Sequence, residues 1–176
     1  MPNPRLYAGQ VLTADRWNSM LPQLVVQEND QVVTASVTPI NTEISIVPEA
    51  NATYLYWLYI SYSASNSCGM RWQWSAPGAI LCSFTQSIAS PGSSGSANTP
   101  QSVNFRRPAN TTGRLAGGSD SVTTPVNFHS AYDSGSFTTD STLSPITLQF
   151  AQAVSSGGQA ILRGGNQTRL AYQRVA

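Results

Sequence analysis

One segment constrains this chain more than any other: Thr53-Tyr54-Leu55-Tyr56-Trp57-Leu58-Tyr59-Ile60-Ser61-Tyr62. Successive side chains of a β-strand point to opposite faces, and here both faces are apolar or aromatic. A strand of an ordinary antiparallel sandwich meets core on one side and water on the other. Two apolar faces therefore imply that something covers the outside. Tyrosine suits such a place, since its ring buries area while its hydroxyl finds a partner. The segment predicts a subunit interface carried by Tyr54, Tyr56, Leu58, Ile60 and Tyr62; the alternative is cover by one of the chain's own long loops.

Composition narrows the class of protein. Only 10% of the 176 residues are charged, against about 25% in a typical domain. The nine basic residues are all arginine, and Ser, Thr, Asn and Gln supply 63 positions. A net charge of +1 with four Trp, seven Tyr and five Phe argues against a disordered, self-repelling chain. Nine scattered arginines make no basic stripe of the kind that binds nucleic acid. The longest apolar run is far short of the ~20 residues that span a bilayer. The expectation is one β-rich domain without nucleic-acid or membrane partners. The start, Met1-Pro2-Asn3-Pro4-Arg5, lacks the apolar core of a secretory signal, which implies folding in a cytoplasm unless a leader has been removed.

Residues 1–21 read as an arm and residues 22–176 as the β-domain. In the arm, Thr13 is a candidate N-cap and Pro22 a stop. Between them Trp17, Met20 and Leu21 share one face of a short helix. A helix this short is marginal alone, so that face should dock, either on the domain's own core or on a partner. From Gln23 onward the period switches to two. Strands are expected at Gln23 to Gln27 and Gln31 to Val37, at Glu43 to Val47, along Met70, Trp72 and Trp74, along Ile80, Cys82 and Phe84, and at Val103 and Phe105. Ser87 to Pro100 and Asn110 to Thr124 read as loops, and Gly135 to Thr142 as a turn-rich approach to Ile146, Leu148 and Phe150. A closing hairpin is expected over Thr147 to Ala153, Ala160 to Arg163 and Thr168 to Val175. Strands at this spacing predict an all-β, antiparallel β-sandwich or jelly roll with a short N-terminal arm and helix.

Ala76-Pro77-Gly78 reads as a hairpin turn between the strands of Cys68 and Cys82. That pairing offsets the two cysteines by about four residues, or ~13 Å, beyond the reach of a disulfide. Two free thiols follow. No CxxC is present and His129 is the one histidine, a set that does not suit zinc.

Catalytic patterns are missing. The eight acids form no dense cluster and no calcium-loop motif. Gly92-Ser93-Ser94-Gly95 falls one residue short of a nucleophile elbow, and His129 reads as a core or solvated histidine. The expectation is a protein that is not an enzyme and holds no cofactor and no metal. Trp72 and Trp74 share a face with Met70 and read as core, against a lectin-like reading in which they stack on sugars.

The C-terminal third carries the most specific local pattern: Leu148-Gln149-Phe150-Ala151-Gln152, then Ile161-Leu162-Arg163-Gly164-Gly165, then Leu170-Ala171-Tyr172-Gln173-Arg174-Val175. With Tyr7-Ala8-Gly9-Gln10-Val11-Leu12-Thr13-Ala14 running to Trp17-Asn18, and Ala50-Asn51-Ala52-Thr53-Tyr54, it resembles a module of virion surface proteins from tailed phages of actinobacteria. Phe150 stands where the family has tryptophan, and Gly165-Asn166 where it has Gly-Ser. The resemblance implies a jelly roll similar to tumour-necrosis-factor-like trimers, with an aromatic strand near the threefold axis. It implies a virion protein assembled in the host cytoplasm: a homotrimeric capsid decoration (cement or head-fibre) protein whose partner is the major capsid protein. A minor tail protein with tail components as partners is the alternative. On that reading the arm grips the particle through Tyr7, Leu12, Trp17, Met20 and Leu21.

Overall fold

A computed structural model describes residues 7–87, 103–104, 113–118, 120–142 and 144–175. Among the described residues one helix, α1 (Ala14–Met20), precedes twelve strands: β1 (Gln23–Val26), β2 (Gln31–Thr34), β3 (Ile40–Ile46), β4 (Thr53–Ala64), β5 (Met70–Ser75), β6 (Ala79–Ser87), β7 (Val103–Asn104), β8 (Arg114–Ala116), β9 (His129–Thr139), β10 (Ile146–Ala151), β11 (Gln159–Leu162) and β12 (Arg169–Arg174). The architecture is an antiparallel β-sandwich of the jelly-roll kind, as the strand spacing predicts.

Its topology is a long hairpin rolled into two layers. β1 pairs β12, β3 pairs β10, β4 pairs β9 and β5 pairs β8, each antiparallel. These rungs alternate between layers. β1-β12-β4-β9 lie side by side in one sheet (sheet A), and β3-β10-β5-β8 in the other (sheet B). That arrangement is the double Greek key of a jelly roll. β6 and β7 extend sheet A beyond β9, while β11 lies end to end with β12 along β4 and carries β2.

Four local readings differ from expectation, one being that Arg114–Ala116, inside the expected Asn110 to Thr124 loop, forms β8. The Ala76-Pro77-Gly78 turn does not close a hairpin: β5 pairs β10 and β8, whereas β6 pairs β9 in the other sheet. The offset argument for the cysteines therefore has no basis in this fold. Cys68 is a free, buried cysteine; the side chain of Cys82 lies outside the described residues. The closing hairpin is also absent, because β10 belongs to sheet B and β11 and β12 to sheet A. Gly135 to Thr142, expected as turns, mostly belongs to β9. The predicted loop at Ser87 to Pro100 lies, from residue 88 onward, outside the described residues.

Between the layers the core is aromatic. Trp72, Trp74, Tyr56, Tyr62, Phe137 and Phe150 are fully buried. The ring of Tyr56 stacks on Phe137 with centroids 4.4 Å apart, and Trp74 from sheet B meets Phe137 edge-on at 5.1 Å and Tyr56 at 5.5 Å. Trp74 Nε1 also donates to the buried Asp133 carboxylate, 3.2 Å away on β9. Turns are tied by close approach: a Cβ on Gly164 would collide with the backbone of Glu28 and Asn29. The Gly164 N–H donates to Asp30 Oδ1 (2.7 Å).

Leu55 and Leu58 lie on opposite faces of β4, Leu58 fully buried and Leu55 39% exposed. Leu58→Ala should cost about 2–5 kcal/mol through lost transfer energy and a cavity. Leu55→Ala should cost under about 1 kcal/mol in dilute solution, where its outer face meets water. Urea unfolding of the two variants reads the difference.

Candidate interaction surface

The two faces of β4 separate cleanly. Tyr54, Tyr56, Leu58, Ile60 and Tyr62 point between the sheets and are 5% exposed or less. They were expected at a subunit interface; the structure places them in the chain's own core, because the sandwich needs one full face of its central strand. Tyr62 goes further, donating its hydroxyl to Gly117 O at 2.8 Å. The residues free to meet a partner are those between them, Leu55, Trp57 and Tyr59.

Register extends that outer face across four strands. Trp57 sits opposite Ala171 of β12 and Ser134 of β9, and Ala171 opposite Leu24 of β1. One row up, Tyr59 pairs with Arg169 and Tyr132, and Arg169 with Val26. Leu24 is 63% exposed and Tyr59 45% exposed. Tyr59 and Tyr132 rings lie 5.1 Å apart, and the Arg169 guanidinium covers Tyr59 at 5.7 Å. A groove of about 440 Å³ is lined by Tyr59, Tyr132, Ser61, Ser130 and Gln167. Among the described outward positions of β1, β12, β4 and β9, Arg169 is the one charged side chain.

At the far end of β4 the chain covers this face itself. Outward-facing Ser63 is fully buried. Arg163 donates through Nε to Ser63 Oγ and through Nη2 to Pro125 O, and it lies over the Phe128 ring at 4.6 Å. Ser65 Oγ donates to Val122 O, and Asp120 Oδ2 accepts from Val126 and Asn127 N–H groups. These contacts hold the 120–128 loop at the Ser63–Ser65 end of β4. Self-cover and an open aromatic half coexist on one strand.

The arm joins this open half. Trp17 N–H donates to Thr13 O (3.0 Å), which makes Thr13 the N-cap position as expected. The other end is held by two amides: Gln23 Nε2 donates to Asn18 O and Leu21 O, and Gln173 Nε2 donates to Met20 O at 2.7 Å. These satisfy carbonyls that a helix end leaves unpaired. Gln173 is the register partner of Leu55, so α1 sits beside the outer face of sheet A. The helix is fixed by polar contacts while its apolar residues stay out. Trp17 is 50% exposed, Leu21 and Leu12 are 42% exposed, Tyr7 65%, and Met20 half-buried.

The remaining sequence candidates are structural. Trp72 and Trp74 are fully buried, which leaves no ring face for a sugar. His129 is buried, with its ring 5.4 Å from Tyr62. Burial holds its pKa below the ordinary 6.5, partly opposed by the Asp120 charge. Asp30 is pushed up by burial, but the Gly164 N–H and Arg163 outweigh this and hold it below the usual carboxylate range. Asn29 and the backbone of Glu28 hold Glu43 low as well. Among the described residues, no group of three or more His, Cys, Asp or Glu could hold a metal ion, and no helix is long and apolar enough to cross a membrane.

No family model and no curated protein matches this chain. Weak structural similarity to chains in infectious bursal disease virus structures is found. The chain is 15% identical to a chain in a structure of infectious bursal disease virus, Gt strain, over 100% of its own length and 43% of that chain, with a TM-score of 0.20. It is 14% identical to the infectious bursal disease virus VP2 subviral particle, over 100% of its length and 42% of that chain, with a TM-score of 0.20. The chain thus spans less than half the length of those it matches.

The lowered His129 pKa fixes the sign of one pH effect. Between its folded value and 6.5 the unfolded chain binds more protons, so stability falls as pH drops below about 6.5. Asp30 and Glu43 act later: their contribution is present above the carboxylate range and lost only as pH falls through their lowered values. Urea midpoints measured from pH 8 to 3 should show two separate losses. His129→Gln should remove the upper one and leave the lower.

Proposed function

We propose that this chain is a non-enzymatic structural protein of a bacteriophage virion, a homotrimer that decorates the capsid as a cement or head-fibre protein. The observation that carries the reading is the arm. Its helix is held to the domain by amide-to-carbonyl bonds, while Tyr7, Leu12, Trp17 and Leu21 are left exposed. Trp17 is thus an exposed apolar group on a fixed helix, which suits a docking arm, since little conformational freedom is then lost on binding. The sequence resemblance to actinophage virion surface proteins supports the same reading, and so does the jelly roll. The partner on this reading is the major capsid protein, and the location is the virion.

Trimerisation would multiply a weak arm contact. Tethered arms meet their sites at effective concentrations in the millimolar range, and avidity can exceed single-site affinity by ~10²–10⁴. The outer face of sheet A, with Leu55, Trp57 and Tyr59, is the surface we assign to contacts between copies.

Removing residues 1–21 should leave a folded β-domain that no longer cosediments with particles lacking their own copy. Full binding without the arm would overturn its role as the anchor. Density for this chain on the head of an intact particle would support decoration; density on the tail would replace it with the minor tail reading.

A further inference from the structure

We propose that the groove at Tyr59, Tyr132, Ser61, Ser130 and Gln167 is a carbohydrate site that takes one or two neutral pyranose units of a glycan. The inference goes beyond the virion reading and does not rest on contacts between copies. The groove lies on the Ser61 side of Tyr59, and neither Leu55 nor Trp57 lines it.

Its layout comes from strand register. Tyr59 sits opposite Tyr132, and Ser61 opposite Ser130, on neighbouring outward rows of β4 and β9. Positions two residues along a strand are ~7 Å apart, so a row of phenol rings stands about one sugar ring away from a row of hydroxyls. A pyranose is amphipathic in the same sense, with C–H groups on its faces and hydroxyls round its edge. Aromatic rings with a few placed polar groups are the usual lining of a small-ligand site, and 440 Å³ lies within the ~300–1,000 Å³ that such sites enclose.

The chain leaves the polar groups of this site unengaged. Among the described residues, Ser130 Oγ and the hydroxyls of Tyr59 and Tyr132 make no hydrogen bond. Ser61 Oγ donates to Gln167 Oε1 at 3.1 Å, which holds the Gln167 amide and leaves its Nε2 hydrogens to a ligand. The Tyr59 ring is held as well, with Tyr132 5.1 Å from it and the Arg169 guanidinium 5.7 Å. Groups fixed before binding lose little freedom on binding.

Charge selects the class of ligand. No charged side chain lines the groove, so a phosphate, a nucleotide or an acidic peptide finds no charge-assisted partner in it. A wholly apolar ligand would cut the unengaged hydroxyls and amide off from water. A neutral sugar avoids both costs.

Saturation-transfer NMR on the full chain tests this, with maltose, cellobiose, lactose and mannobiose as probes at ~10 mM, enough to populate a complex of millimolar affinity. At least one probe should bind, with the same affinity from ~0.05 M to ~0.5 M salt, since no ion pair is involved. Tyr132→Ala should weaken that binding about tenfold. Ser130→Val/Gln167→Ala, at two exposed positions, should weaken it about fivefold or more, and serves if circular dichroism shows Tyr132→Ala misfolded. No transfer to any of the four sugars, or binding indifferent to the variants, overturns the site. Binding that fades with salt overturns the neutral-sugar assignment. Sedimentation velocity on the same samples reads the oligomer separately: a monomer that binds sugar removes the contact between copies and leaves this site standing.

Discussion

The sandwich depends on one cross-layer contact. Trp74 leaves sheet B, meets Tyr56 and Phe137 of sheet A edge-on, and donates its indole N–H to Asp133. Aromatic pairs in this geometry add about 0.5–1.5 kcal/mol each beyond their buried area. The hydrogen bond adds direction. A carboxylate in an apolar interior is costly without partners, so Asp133 favours the arrangement in which Trp74 reaches it. β5, β4 and β9 are thereby locked in a single relative position, and the rungs on either side follow.

That lock divides β4. Its even-numbered residues from Tyr54 to Tyr62 are consumed by the core, and the odd-numbered ones are left on the outer face. The chain covers the far end with its 120–128 loop, held by Arg163, Ser65 and Asp120. It leaves the near end, beside α1, open. The open half is apolar, aromatic and nearly uncharged, and the arm extends it. The proposed function grows from this asymmetry rather than from any catalytic geometry.

The layered β-architecture was legible because period-two alternation survives in β3, β5 and β10, and Trp72 and Trp74 were readable as core from Met70 beside them. The helix was legible from Thr13, Pro22 and its apolar spacing. The interface residues were not. Two apolar faces say that both are wanted for burial, but alternation alone does not say which one the fold takes. The strand β9 was hidden for a different reason. Its run Ser134-Gly135-Ser136 has turn-like composition, and it is a strand because β4 and β6 pair with it on both sides; tertiary pairing overrides weak β-propensity. Hairpins were misassigned because a jelly roll sends consecutive strands to different sheets, and short turns such as Ala76-Pro77-Gly78 look alike in either case.

The central claim is that one face of β4 is core and that its other face, which we propose for contacts between copies, is open in the single chain. Hydroxyl-radical footprinting with residue-level mass spectrometry tests it directly, comparing the protein assembled at high concentration with the same protein at high dilution. Trp72 and Trp74 should be silent in both states, and Trp57 and Tyr59 should be labelled on dilution and protected on assembly. Equal labelling of Trp57 and Tyr59 at every concentration would contradict the account.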